Sequence, residues 1–397
     1  MLGDQDGEPV SALWDPIFGA TAVAATTDDR AWLGALCDVE AALARACATV
    51  GLIDGATATQ IETACAQAAA HDPDELGRQA AADGNPVIPL VRRLRVALAQ
   101  AADEHAASVV HLGATSQDIL DTAAMLVAHR ATAVVGDGLD GAADACAVLA
   151  RDHRNTAMAG RTLLQQAVPT TFGAVAAGWG EGLDRAGRRL RAVREDLAVQ
   201  LGGAAGTLAA LYPGGPAVRA ALADELGLTD PGTVWHTERV RIAELAGALG
   251  AASGAVGKIA TDIVLLAQTE LGEVAEGVGG GSSAMPHKQN PIAAVTARAA
   301  AAQAPGLVAT LLAAMPGELQ RGAGPWHAEW APLTALLNVA GGAAARLRVS
   351  LSDLHVDRDA MSHNLRCMQA IDARVRPSTD VGHAGDIVDH YLAGRHR

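Results

Sequence analysis

Between Gly279 and Pro291 the chain reads GGGSSAMPHKQNP, and this run concentrates residue types that do chemistry. Three glycines and two serines cannot sustain a helix, so the segment is expected to be a loop. Asn290 and Pro291 then have the residue types of a helix N-cap and a first helical position. Lys288 stands two residues before that cap, so a cation and the unpaired N–H groups of a helix start would converge on a bound anion. The same string also reads as a flexible linker that happens to begin a helix.

Two further segments carry compatible groups. His111 to Thr122, HLGATSQDILDT, sets Thr115 and Asp118 at the spacing of a capping box, which would start the helix that follows. The Thr115 and Ser116 hydroxyls and the Gln117 amide cluster at that start, where they can bind an anion as well as cap. Gly160 to Gly173, GRTLLQQAVPTTFG, is expected to be a loop leading through Pro169 into a helix. In RGAGPWHAEW, from Arg321 to Trp330, His327 by residue type alone is more often structural than catalytic.

The elements that must position these groups read as helices. From Asp29 to Leu52, Trp32, Leu33, Leu36, Val39 and Leu43 recur at three- and four-residue steps. Long helical patterns follow from Asp118 to about Leu149, Thr171 to about Leu197, and Thr237 to about Glu276. In the last, Ile242, Leu245, Leu249, Val256, Ile259, Ile263 and Leu266 keep heptad-like spacing, with Gly247, Gly250, Gly254 and Gly257 interleaved. Each helical glycine costs roughly 1 kcal/mol, which close helix-to-helix approach would offset. A helix of that length would span about 55 Å and suits a shared bundle. No strand alternation is convincing. The expected class is all-α, with an N-terminal unit over 1–110, a central long-helix unit over 111–350 and a short C-terminal unit over 351–397.

Composition agrees with small-residue helix packing: half of the 397 residues are apolar, yet only two are Phe, two Tyr and six Trp. A formal charge of −14 leaves no basic face for nucleic acid, so an anionic substrate must be held by a few local cations. The five cysteines are odd in number, widely spaced and free of C-x-x-C pairs, which argues against a disulfide framework or a zinc site. The acidic start MLGDQDGEPVS is unlike a signal peptide, and no uncharged apolar run reaches about 18 residues. A soluble cytoplasmic protein, with no membrane partner and no metal or organic cofactor, is expected.

G-S-S-x-M-P-x-K-x-N-P from Gly281 to Pro291 resembles the signature loop of the fumarase/aspartase superfamily, and NPVIPL from Asn85 resembles its 3-carboxy-cis,cis-muconate cycloisomerase branch. The resemblance covers roughly residues 14 to 370. It implies a three-unit helical fold whose long central helices form a homotetrameric bundle, with each active site assembled from several subunits. The implied reaction converts 3-carboxy-cis,cis-muconate, a polycarboxylate, to 4-carboxymuconolactone, with Ser282 as the proton-transfer residue. Lys288, Asn290, Thr115, Ser116, Gln117, Thr162 and Gln165 are implied to bind substrate, and Arg161, Arg321 and His327 are further candidates. Leu163 stands where superfamily lyases that release an amine or alcohol carry a histidine, and Gln166 where some cycloisomerases carry one. A carboxylate, with a reference pKa near 4, attacks or leaves without an acid's help, so a cycloisomerase tolerates the loss. The rival expectations are an adenylosuccinate-lyase-like enzyme, disfavoured by Glu329-Trp330 where a phosphate would be bound, and a non-catalytic paralogue.

Overall fold

A computed structural model describes residues 13–101, 103–277, 280–281, 285, 288–371 and 380–395. Helices make up most of it, as the composition requires. The longest, Ser116–Asp152, has no proline and starts from a capping box between Thr115 and Asp118. It packs along Phe172–Glu195 and Pro325–Ser352, and Val240–Leu266 lies against both of those. The packing surface is built from small side chains, with Ala123, Ala128, Ala131, Ala142 and Ala143 fully buried. At Gly138 the crossing is so tight that a Cβ would lie 3.0 Å from the Ala344 Cβ. Asp29–Thr49, Gly55–Ala69, Pro73–Asp83 and Val87–Gln100 pack on one another, and Asp29–Thr49 makes most of their contact with the 116–152 helix.

Three expectations are corrected. The expected loop at Gly160–Gly173 contains a hairpin of β1 (Ala157–Thr162) and β2 (Gln165–Thr171). Its two-residue turn is Leu163-Leu164 at φ 53° and 62°, a conformation that normally selects Asn or Gly, so the usual hairpin signal was missing. The 237–276 pattern is not one helix: it runs from Val240 to Leu266, about 40 Å. It stops in a turn closed by Gly272 at φ 58°, and Val274–Glu276 becomes strand β3, paired antiparallel with β4 (Leu354–Val356). Finally, the helix after the signature loop begins at Ile292, one residue later than expected, with Asn290 paired across to Gly280.

Among the described residues, three helical stretches are by length and composition apolar enough to cross a membrane: Ser116–Asp152, Val240–Leu266 and Ile292–Ala313. The first is mostly buried in the protein, whereas the other two leave more than half of their apolar stretch uncovered.

Candidate functional site

At the start of the 116–152 helix, Asp118 is fully buried and saturated. It accepts from the Thr115 amide at 2.9 Å and from the Gly202 and Gly203 amides at 2.9 and 2.8 Å, and it pairs with His236 Nε2 at 2.7 Å. These contacts bolt the turn carrying Thr115 and Ser116 to the 200–203 segment and leave both residues half-buried at the surface of the helix start. Gly113 serves the same turn: its φ is 70°, and a Cβ there would meet the Leu211 side chain at 2.4 Å. His111, at φ 65°, places its Nδ1 2.6 Å from a carboxylate oxygen of buried Glu40, which accepts from it. Burial alone would pull the His111 pKa down, but the Glu40 carboxylate outweighs it and holds the imidazole above its ordinary value.

Arg321 reaches the same place. Its guanidinium donates to Gln117 Oε1 at 3.2 Å and to the Gly203 and Ala204 carbonyls at 3.3 and 3.0 Å, and it has no carboxylate partner among the described residues. Gln117 itself is 0% exposed, with its amide fully engaged, so this expected substrate contact faces inward. Behind it lies Arg239, between Asp121 (2.8 and 3.1 Å) and Glu329 (3.0 Å), while Trp326 Nε1 donates to Asp121 at 3.0 Å. Burial chiefly raises the Glu329 pKa, against the pull of Arg239. His327 is exposed beside Trp326 and Trp330, with ring centroids 5.2 and 4.8 Å away.

The hairpin lies at the other end of the long helix. Thr162 and Gln165 are exposed and face each other across its last register pair, and the tip is bare: Leu163 is 96% exposed and Leu164 72%. Arg161 is not available as a free cation, because it grips buried Glu273 at 2.9 and 2.7 Å and so ties the hairpin to the start of β3. Just beyond β3 is the signature loop. Ser282 lies outside the described residues. Lys288 is exposed, and Asn290 is half-buried, with its Nδ2 donating to the Gly280 carbonyl at 3.2 Å. The expected anion site at the following helix start is already filled by a carboxylate of the chain itself: Glu276 accepts from the Ala293 and Ala294 amides at 3.0 and 2.8 Å.

The expected residues therefore fall into two groups. Thr115, Ser116, Gln117, Arg321 and His327 gather at the N-terminal end of the 116–152 helix, while Arg161, Thr162 and Gln165 follow its C-terminal end. Asn290 and Lys288 belong with the second group through the β3 connection. Thirty-seven residues separate the ends, about 55 Å of helix. The buried Asp121–Arg239–Glu329 and Asp118–His236 contacts join residues far apart in the sequence. Their only trace in the sequence is the polar and aromatic run Trp235-His236-Thr237-Glu238-Arg239 next to a helix start.

A family model described as lyase matches residues 11–306. The chain is 48% identical over 360 residues to a 3-carboxy-cis,cis-muconate cycloisomerase of Bradyrhizobium diazoefficiens, covering 90% of this chain and 79% of that one. It is 45% identical over 366 residues to a nitrosuccinate lyase of Streptomyces davaonensis, covering 89% and 77%. Among solved structures, the 3-carboxy-cis,cis-muconate lactonizing enzyme of Pseudomonas putida superposes with a TM-score of 0.91 at 36% identity, covering 98% of this chain and 99% of that one.

Proposed function

The chain belongs to the lyase family that holds the 3-carboxy-cis,cis-muconate cycloisomerases, and we propose that it lactonises 3-carboxy-cis,cis-muconate to 4-carboxymuconolactone. The observation that carries the reading is the anion cradle at the start of the 116–152 helix, where Arg321, with no carboxylate partner among the described residues, lies beside the half-buried Thr115–Ser116 turn. One substrate carboxylate attacks the β-carbon of a conjugated double bond. The electron pair moves onto the carboxylate attached to the α-carbon, as an aci-carboxylate, until a proton reaches that carbon. Arg321, Thr115 and Ser116 from one subunit, with Lys288 and Asn290 from another, stabilise the developing charge more than the ground state, which is what accelerates the step. Ser282 delivers the proton. Thr162 and Gln165 reach the site from a neighbouring hairpin.

About 55 Å of helix between the two groups of residues supports a site assembled from several copies, and so a homotetramer. The uncovered apolar sides of Val240–Leu266 and Ile292–Ala313 support the same assembly rather than a membrane.

A second reading is elimination of a weakly basic anion from a substituted succinate, as the name of the Streptomyces relative suggests. Leu163 at the hairpin tip favours it, because that side chain gives no proton to a leaving group and only an anion that leaves unaided would suit. Purified protein mixed in parallel with 3-carboxymuconate and with a nitrosuccinate decides between them. Loss of the diene ultraviolet absorbance in the first arm is the expected result, and turnover confined to the second would replace the first reading.

A further inference from the structure

Two arginines sit within one buried polar network and are treated oppositely. Arg239, 4% exposed, is held by two acids: Asp121 from the 116–152 helix and Glu329 from the 325–352 helix. Arg321, half-buried, meets three neutral oxygens and no acid among the described residues. The residue between them is Gln117. Its Nε2 gives its two hydrogens to Asp121 Oδ2 at 3.1 Å and to the His236 carbonyl at 2.8 Å. A primary amide has only those two donors, so the group cannot turn over without leaving an acceptor carboxylate facing its own oxygen. Its Oε1 must therefore point away from Asp121, toward Arg321.

Asp121 fixes that polarity only while its own charge is pinned. It accepts from Arg239 through both oxygens, from Trp326 Nε1 at 3.0 Å and from Gln200 Nε2 at 3.4 Å. Arg239 in turn is planar and forked, and its bonds to Glu329 stop it from rotating away. Charge and direction thus pass along Glu329, Arg239, Asp121 and Gln117 to one guanidinium. Had Gln117 been an acid it would neutralise Arg321, and had it been apolar it would leave the guanidinium free to swing.

We propose that Gln117 and Arg239 are positioning residues: they touch no substrate, and through the Gln117 amide they aim the uncompensated Arg321 guanidinium at the Thr115–Ser116 helix start, where it takes a substrate carboxylate. The inference rests on the anion cradle of the functional reading, and it assigns specificity for a polycarboxylate to a cation set by neutral contacts.

A double-mutant cycle tests it, read by calorimetric binding of tricarballylate, a saturated tricarboxylate that cannot react, as well as by KM and kcat. Gln117→Leu and Arg321→Met should each weaken tricarballylate binding about tenfold, the scale of one charge-assisted contact. Gln117→Leu should raise KM and lower kcat together, because the misaimed Arg321 would hold both the ground state and the developing charge less well. In the Arg321→Met background, Gln117→Leu should add nothing further, because a residue that works only through Arg321 has nothing left to position. Arg239→Lys, which keeps the charge but loses the fork, should mimic Gln117→Leu in binding. If Gln117→Leu fails to fold, Gln117→Asn keeps the amide, shortens its reach and serves in the same cycle. Additive losses would overturn the proposal, since Gln117 would then contact the ligand directly. So would a wild-type protein that does not bind tricarballylate. A protein that fails to lactonise 3-carboxymuconate yet shows the non-additive cycle would retain the relay and reject the proposed reaction.

Discussion

At the scale of single residues, the site rests on contacts that join distant stretches of the chain as well as on local ones. Thr115 and Asp118 are three residues apart, and their capping box was readable. Asp118 and His236 are 118 apart and Arg239 and Glu329 are 90 apart, so only folding brings them together. Ser282 leads the predictions here. Ser282→Ala is expected to abolish lactonisation with helical content unchanged, as measured by initial rates and far-ultraviolet circular dichroism. A variant keeping more than about a tenth of the wild-type kcat, a loss below roughly 1.4 kcal/mol, would remove Ser282 from the proton-transfer role. His111 gives a pH prediction. Its folded pKa lies above the ordinary 6.5, mainly because Glu40 overcomes the effect of burial, with Asp118 adding to the rise and Arg95 opposing it. The imidazolium therefore contributes stability that is complete below pH 6.5 and is lost as pH rises through the folded value. Thermal unfolding should occur at lower temperature as pH is raised across that window. Glu40→Gln should flatten this dependence, and an unchanged slope would detach it from the pair.

At the scale of elements, periodicity found the helices and missed the strands. The 116–152 and 172–195 helices were expected within a few residues because their apolar spacing is continuous and uninterrupted by proline. The hairpin escaped because its tip carries two leucines at positive φ instead of an Asn-Gly pair. Such strain in an exposed pair persists where another surface makes use of the side chains. The double substitution Leu163→Asn with Leu164→Gly should relieve it, stabilising the hairpin by about 1 kcal/mol. The same double variant should lose activity if the tip completes a neighbour's site. Calorimetric melting and initial rates on one preparation check both halves, and a stabilised enzyme with full activity would deny the tip any functional contact. The 240–266 helix ends ten residues before its sequence pattern does for a different reason. The chain from Gln268 to Gly272 has no proline to mark the break, and the demand comes from Glu273, which must turn inward to meet Arg161.

At the scale of the whole molecule, the glycines of the 240–266 helix distinguish packing within the chain from the intersubunit packing we propose. A Cβ at Gly250 would lie 2.9 Å from Val308 in the same chain, but at Gly254 it would meet nothing within 4 Å. Gly254→Leu should therefore leave the folded protomer intact and, in a shared bundle, push neighbouring helices apart at a cost of roughly 1 to 3 kcal/mol. Sedimentation velocity and activity on one dilution series should fall together, and a fully active monomer would refute the shared site. The 37-residue helix also bears on heredity. If its two ends serve different sites, a copy of the gene damaged in the hairpin and another damaged at the Thr115 turn encode subunits that are each inactive alone, yet their mixed assemblies include sites built wholly from sound segments. A cell carrying both copies would regain part of the activity that neither confers by itself, so which segment is damaged, as well as how severely, would decide whether two lesions compound or rescue each other.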